Sequence, residues 1–165
     1  MSGCKNQAMK EQYMQVKRVG GLVLLLALLA GCTVQEFAKD RKPDPIAGAR
    51  ARVAIAAEYL QKGEIDQAQQ HLQKALELDP KSAEAYNVMG ALLERDGDIV
   101  KAEKNYRKAL SLKPDYSQAH NNFGVLLFRA KRYKEASEQF TFAANDLSYE
   151  RREVAWQYLG LSALM

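Results

Sequence analysis

Residues 83–116 read AEAYNVMGALLERDGDIVKAEKNYRKALSLKPDY, and the architecture can be predicted from them. Apolar and small residues recur at intervals of three and four, which indicates two amphipathic helices. Gly97 separates the two halves, and Pro114 follows the second half, where it would end a helix that it cannot continue. The stretch therefore predicts two helices joined by a tight turn.

The same pattern recurs along the chain with a period of 34 residues, in copies at 49–82, 83–116 and 117–150. The residues in register are Ala68, Ala102 and Ala136; Ala75, Ala109 and Ala143; Leu72, Tyr106 and Phe140; Gly90 and Gly124; Gly63 and Gly97; and Pro80 and Pro114. A helix–turn–helix unit of this length resembles the tetratricopeptide repeat. We therefore predict an all-α, right-handed superhelix of antiparallel helix pairs, which forms a tetratricopeptide domain over 49–165.

Packing and turn geometry explain the pattern. Small residues let the two helices approach closely, and the large residues fill the remaining space. We expect Gly63 and Gly97 to adopt positive φ in the turn within each repeat. Lys131 replaces glycine in the third repeat, where it would strain the turn by about 1 kcal/mol.

A partial fourth repeat is predicted at 151–165, with its register shifted by two residues and with signature residues Trp156, Leu159 and Gly160. Beyond Val154 its only polar residues are Gln157 and Ser162. We therefore expect this helix to lack the polar outer face that terminal repeats normally have.

The opposite end has the features of a secretory leader. Residues 17–32 read KRVGGLVLLLALLAGC, in which a basic pair precedes twelve apolar residues that would cover about 18 Å as a helix. That is too short for a hydrocarbon core of about 30 Å, and favours a signal peptide over a membrane span. The last four residues resemble the bacterial lipobox, so we predict a lipoprotein signal peptide at 1–31 and lipidation of Cys32. The start stays open between Met1, Met9 and Met14.

Removal of this leader would also remove Cys4, leaving Cys32 as the only cysteine, so no disulfide is expected. Thr33 follows the lipidated position, and by resemblance to bacterial lipoprotein sorting it implies the outer membrane. We expect a lipid-anchored tether at 32–48, because its prolines disfavour helix. The chain without residues 1–31 has 20 basic and 19 acidic residues, so its charge gives no reason to expect a nucleic-acid partner.

No catalytic or metal-binding pattern is visible in the sequence. We expect His71 to face outward and His120 to occupy a packing position. Carboxylates are scattered, and neither a glycine-rich phosphate loop nor a G-x-S-x-G motif is present. We therefore predict a protein that is not an enzyme, with no metal and no cofactor.

The first helices of successive repeats should line a concave groove that binds a peptide segment. By the repeat numbering, the groove residues would be Val53, Ala57, Leu60, Asn87, Ala91, Glu94, Asn121, Val125 and Phe128. Asn87 and Asn121 lie one period apart, and an amide could bond the backbone of an extended peptide through both its donor and its acceptor. The alternative is that both asparagines serve only local structure. The positions of a carboxylate clamp lack lysines, which disfavours binding of chaperone tails.

The chain resembles the type IV pilus biogenesis/stability lipoproteins, which are the pilotins of the pilus secretin. The resemblance rests on Asn121-Asn122-Phe123-Gly124, Lys131-Arg132-Tyr133, Glu135-Ala136, Asp146, Tyr149, Arg152, Trp156 and Leu159-Gly160-Leu161. Glu150 departs from the family pattern, which has proline there. Members of the family have about six repeats, so we expect this chain to be shortened at its C-terminus.

The resemblance implies a lipoprotein on the periplasmic face of the outer membrane. Its groove would hold a pilus secretin subunit and promote secretin localisation and multimerisation, on which twitching motility depends. The alternatives are another outer-membrane assembly or scaffold lipoprotein, serving β-barrel insertion or peptidoglycan machinery, or a truncated inactive product. An envelope hydrolase would need a catalytic domain, for which residues 32–165 leave no room beside the repeats.

Overall fold

The computed structural model describes residues 44–165, which form seven α-helices and no strand. The helices are α1 Pro45–Lys62, α2 Ile65–Leu78, α3 Ala83–Asp96, α4 Ile99–Leu112, α5 Ser117–Arg129, α6 Tyr133–Asn145 and α7 Arg152–Ala163. The all-α prediction is confirmed. The predictions for the signal peptide at 1–31, for Cys32 and for most of the tether lie outside the described residues.

Helix α1 begins at Pro45, inside the segment expected to be a tether. The Asp44 carboxylate accepts a hydrogen bond from the backbone N–H of Ile46 at 2.9 Å and caps the helix. Proline at the first helical position loses no hydrogen bond and already has a helical φ. The expectation that the prolines disfavour helix up to residue 48 is therefore corrected, since Pro45 starts a helix.

The turns within the repeats have the predicted backbone. Gly63 and Gly97 adopt φ of 83° and 88° and end the first helices of their repeats. Lys131, at the same place in the third repeat, has φ of 61° and is the only non-glycine residue with positive φ in the described part of the chain. A side chain at such a φ crowds the backbone, so this turn is strained where the other two are not.

Helices pack in pairs, α1 with α2, α3 with α4 and α5 with α6, and α7 packs on α6. The first helices also contact one another in the order α1, α3, α5 and α7. The backbones of the second helices, α2, α4 and α6, do not approach one another in this way within residues 44–165, although Arg107 of α4 forms an ion pair with Glu135 of α6 at 3.8 Å. The stack therefore curves with its first helices on the inner, concave side.

The two central repeats show the close approach predicted for small residues. A Cβ placed on Gly90 would lie 2.7 Å from a ring atom of Tyr106, and one on Gly124 would lie 2.7 Å from a ring atom of Phe140. Both rings are buried, Tyr106 at 1% and Phe140 at 0% exposure. Each ring therefore fills the space that its glycine leaves open, so this part of the packing prediction is confirmed.

Helix α7 packs one face on α6 and leaves the other uncovered. Ala155 is fully buried, and the Tyr158 ring stacks on Phe140 with centroids 5.2 Å apart. Apolar side chains stay exposed on and after this helix, namely Trp156, Leu161, Leu164 and Met165. None of the helices within residues 44–165 is long and apolar enough to span a membrane.

Candidate functional site

A groove of about 500 Å³ runs across the concave side of the stack. Every first helix contributes to its lining: α1, α3, α5 and α7. Five of the nine predicted groove residues line it, and they are Leu60, Ala91, Glu94, Asn121 and Val125. The lining also contains Arg95, Tyr106, Asn122, Arg129, Arg151, Val154 and Tyr158.

The remaining four predicted groove residues lie elsewhere. Val53 packs in the core of the first repeat, and Asn87 is 1% exposed; neither belongs to the groove lining. Ala57 is half-buried outside the lining. Phe128 is held edge-on between the rings of Tyr133 and Tyr158. Repeat numbering identifies the helices that line this cavity but does not resolve which turn of each helix lines it.

The two asparagines one period apart have different surroundings. The Asn87 Oδ1 accepts a hydrogen bond from the Asn122 Nδ2 at 3.1 Å, which ties α3 to α5. Asn121 is 3% exposed and lines the groove, but its Oδ1 has no hydrogen-bond partner among the described residues. Asn87 therefore has a structural bond, whereas Asn121 keeps an unused acceptor beside the groove.

Glu94 is the only carboxylate in the groove lining, and its charge is compensated. Arg129 Nη1 donates to one carboxylate oxygen at 2.7 Å, and the Tyr106 hydroxyl donates to the other at 3.1 Å. Burial raises the pKa of Tyr106, and the nearby Glu94 charge raises it further. Tyr106 therefore stays protonated as a donor, and its hydroxyl and Arg129 together hold Glu94 in the groove lining.

Sequence reasoning missed the three arginines of the lining. Arg95 and Arg129 lie one period apart at the ends of α3 and α5, so the repeat itself was a signal that could have identified them. Arg151 directly precedes α7, where the register has shifted, and the period does not predict its position. These arginines make the groove basic.

A second cavity, of about 840 Å³, lies where the loop after α4 meets the loop after α6. Its polar groups largely satisfy one another. The Ser117 hydroxyl donates to the Asp146 carboxylate, and this bond together with Ser148 lowers the pKa of Asp146. The second cavity is larger than the groove, and its Ser117–Asp146 bond joins consecutive repeats. Tyr149 also lines this cavity, and its hydroxyl is buried without a hydrogen-bond partner among residues 44–165.

His120 lies beside this cavity and confirms its predicted packing position. It is 6% exposed, its ring nitrogens contact the Pro114 carbonyl at 2.8 Å and the Gln139 Oε1 at 2.9 Å, and it stacks on Phe142. The prediction for His71 is wrong, because its ring is half-buried and stacks on Tyr59. Within residues 44–165 no cluster of His, Cys, Asp and Glu could hold a metal ion.

The paired helices, their 34-residue period and the concave groove define a tetratricopeptide-repeat fold. Two family models agree, one described as a TPR repeat at residues 56–97 and one as a tetratricopeptide repeat at residues 83–116. Folds of this class present extended concave surfaces that bind other polypeptides. A groove lined by the first helices of successive repeats fits such an interaction module.

Type IV pilus proteins are among the relatives found. The chain is 34% identical over 146 residues to the type IV pilus assembly protein PilF of Pseudomonas aeruginosa, an alignment that covers 87% of this chain and 58% of that protein. A structure solved for the functional characterization of P. aeruginosa pilF is 33% identical, with a TM-score of 0.71 over 74% of this chain and 55% of that one.

A second solved structure, of PilW, is described as a widely conserved type IV pilus biogenesis factor. It is 29% identical, with a TM-score of 0.65 over 70% of this chain and 53% of that one. The chain thus spans a little over half the length of the relatives that it matches. These likenesses relate it to the type IV pilus biogenesis factors.

Proposed function

We propose that this protein is an outer-membrane lipoprotein that acts as a pilotin in type IV pilus biogenesis. The lipid on Cys32 holds it on the periplasmic face, and the groove binds secretin subunits. Binding delivers the subunits to the outer membrane and promotes their assembly into multimers. The observation that carries the proposal is the likeness to PilF, which extends over 87% of this chain.

A pilotin of this kind needs two physical features, a membrane anchor and a surface that binds the secretin subunit. Each buried CH₂ of an acyl chain contributes about 0.8 kcal/mol, so two or three chains on one cysteine hold a protein firmly at a membrane. The groove supports the presence of a binding surface, because its lining combines apolar side chains with polar groups that have no partner among the described residues. The secretin as client follows from the family resemblance of residues 121–161.

An affinity pull-down from membranes tests the proposal. Full-length lipidated protein would be compared with the Cys32→Ala variant, and the readout would be the heat-resistant secretin multimer. We expect secretin to co-purify with the wild type. In cells that carry only Cys32→Ala, we expect the multimer to be lost or to be found outside the outer membrane, because the bound subunit is no longer delivered there.

The outcome against the proposal is a pull-down without secretin from both proteins. Identifying the proteins that co-purify instead would then distinguish a β-barrel insertion or peptidoglycan client from an inactive product. Circular dichroism of both proteins provides the control, since lipidation should not change the helical content of residues 44–165.

A further inference from the structure

The groove lining is positively charged, which favours an acidic occupant over a neutral one. Three guanidinium groups line it, those of Arg95, Arg129 and Arg151, against the single carboxylate of Glu94. Arg129 and Tyr106 already engage that carboxylate, whose side chain is only 14% exposed. The lining therefore carries an excess of positive charge that its own residues do not neutralise.

The arginines retain unused hydrogen-bond donors. Arg95 donates to the carbonyl of Leu60, a neutral acceptor that orients the guanidinium without cancelling its charge. Arg129 uses Nη1 on Glu94 while its side chain stays 69% exposed. Arg151 forms no ion pair with any residue of the described part, 44–165. Guanidinium groups with free donors bind carboxylates strongly and in a defined geometry.

Asn121 supplies an independent observation at the same place. Asn121 is only 3% exposed and lines the groove. Its Oδ1 has no hydrogen-bond partner among the described residues. A buried acceptor without a donor is unfavourable, so an occupant that brings an N–H group would satisfy it. A backbone N–H of an extended segment can do so whatever its side chain.

The apolar side chains of Ala91, Val125 and Val154 share the groove lining with these polar groups. We propose that the groove selects an extended acidic segment of its partner polypeptide. Aspartate or glutamate side chains pair with Arg129 and Arg151, intervening apolar side chains lie on the apolar lining, and a backbone N–H donates to Asn121. This inference rests on the proposed function, in which the groove is the binding face, and it specifies the chemistry that the groove recognises.

The test measures binding of two labelled synthetic peptides to the full-length protein in detergent, by fluorescence anisotropy. One peptide alternates Glu or Asp with Val or Leu, and the other replaces each acid by its amide. We expect the acidic peptide to bind at least about tenfold more tightly at low salt, and this preference to shrink as salt screens the charges.

Variants locate the effect. Arg151→Glu should weaken the acidic peptide about threefold, and the double variant Arg129→Gln/Arg151→Glu about tenfold, with little change for the amide peptide. The matched control is Lys134→Gln/Lys104→Glu, which makes the same charge change at exposed positions on the second helices α6 and α4. Asn121→Ala should weaken both peptides equally, since a backbone contact is independent of side-chain charge. Circular dichroism confirms that each variant is folded.

Equal binding of the two peptides would overturn the inference, and so would binding of neither peptide. Equal weakening by the groove double variant and by the control would overturn it as well. The pull-down of the secretin separates this result from the proposed function. If secretin co-purifies but the acidic peptide does not displace it, the pilotin role is supported and selection of an acidic segment is refuted. If the groove prefers the acidic peptide but no secretin is found in the pull-down, selection of an acidic segment is supported and the pilotin role is refuted.

Discussion

Gly90 and Gly124 in the central repeats and Gly160 in α7 hold equivalent places in the repeat pattern, but the structure treats them differently. A Cβ on either of the first two would collide with a buried aromatic ring, whereas one on Gly160 would meet nothing within 4 Å. The difference arises because the central glycines face a second helix of their own repeat. No second helix follows α7 within the described residues, so the same residue type has no packing role there.

The largest contrast should come from truncating leucines. Leu127 in α5 is fully buried and Leu161 in α7 is 48% exposed. We expect Leu127→Ala to lower the free energy of unfolding by about 2–5 kcal/mol, since it leaves a cavity, and Leu161→Ala to change it by about 0.5 kcal/mol. Urea denaturation followed by circular dichroism measures both. Similar losses of stability for the two variants would contradict the exposure of Leu161, because they would mean that this face of α7 is covered.

Adding one methyl group should give opposite signs at the equivalent glycines. Gly124→Ala forces Phe140 or the backbone to move, and we expect a loss of about 1–3 kcal/mol. Gly160→Ala, in an open helical position, should stabilise the protein by about 0.5–1 kcal/mol because alanine orders more easily in a helix. Thermal unfolding of both variants provides the measurement, and a destabilising Gly160→Ala would contradict the open position.

The turns extend the comparison within the repeats. Lys131 has positive φ where the other turns have glycine, so Lys131→Gly should relieve strain and stabilise the protein by about 0.5–1 kcal/mol. The reciprocal change, Gly97→Lys, should cost about 1 kcal/mol. Both residues are exposed, so the difference should arise from the backbone alone. If both variants stabilise the protein, or both destabilise it, this explanation is wrong. Thermal unfolding of the two variants measures the change in stability.

The smallest expected effect depends on pH. The Glu103 carboxylate accepts hydrogen bonds from Arg132, in the next repeat, and from Arg107. Arg132 first, and then Arg107, hold the pKa of Glu103 below its usual range, against the opposing effect of burial. A lowered folded-state pKa contributes stability above the ordinary value of about 4.3, and this contribution is lost as pH falls through the folded-state value.

We therefore expect Glu103→Gln to be less stable than wild type by about 0.5–1 kcal/mol at neutral pH, with the difference vanishing in acid. Glu153→Gln on α7 is the matched control, because Glu153 forms no ion pair within residues 44–165. Unfolding free energies measured across the pH range give both comparisons. A difference for Glu103→Gln that persists at acidic pH would mean that its charge is not the cause.

The arrangement of the helices was largely predictable because periodicity reports it directly. Alanines, glycines and prolines that recur every 34 residues require the same local packing in each copy, and the helix pairs, the positive φ at Gly63 and Gly97 and the ring-filled sites beside Gly90 and Gly124 follow. The start of α1 was less predictable. Pro45 favours both the end of an extended segment and the first turn of a helix, and the Asp44 cap decides between them.

The groove was predictable only in part. The period places Leu60, Ala91, Glu94 and Val125 on helices that line the groove, and it also relates Arg95 to Arg129. It treats Asn87 and Asn121 as equivalent, although Asn122 engages only the first. A repeat pattern records what neighbouring copies have in common. Such a pattern does not contain a contact that one copy makes and the next does not.

The amino-acid sequence alone therefore determined the helix pairs, their turns and their small-to-large packing, because these depend on interactions within about one repeat. Tertiary structure alone decided which asparagine keeps a free acceptor, how Glu94 is neutralised and that Arg151 joins the arginines of α3 and α5. These features depend on how separate repeats meet across the concave side. Contacts between residues some 30 positions apart form only when the stack curves, so local pattern cannot specify them.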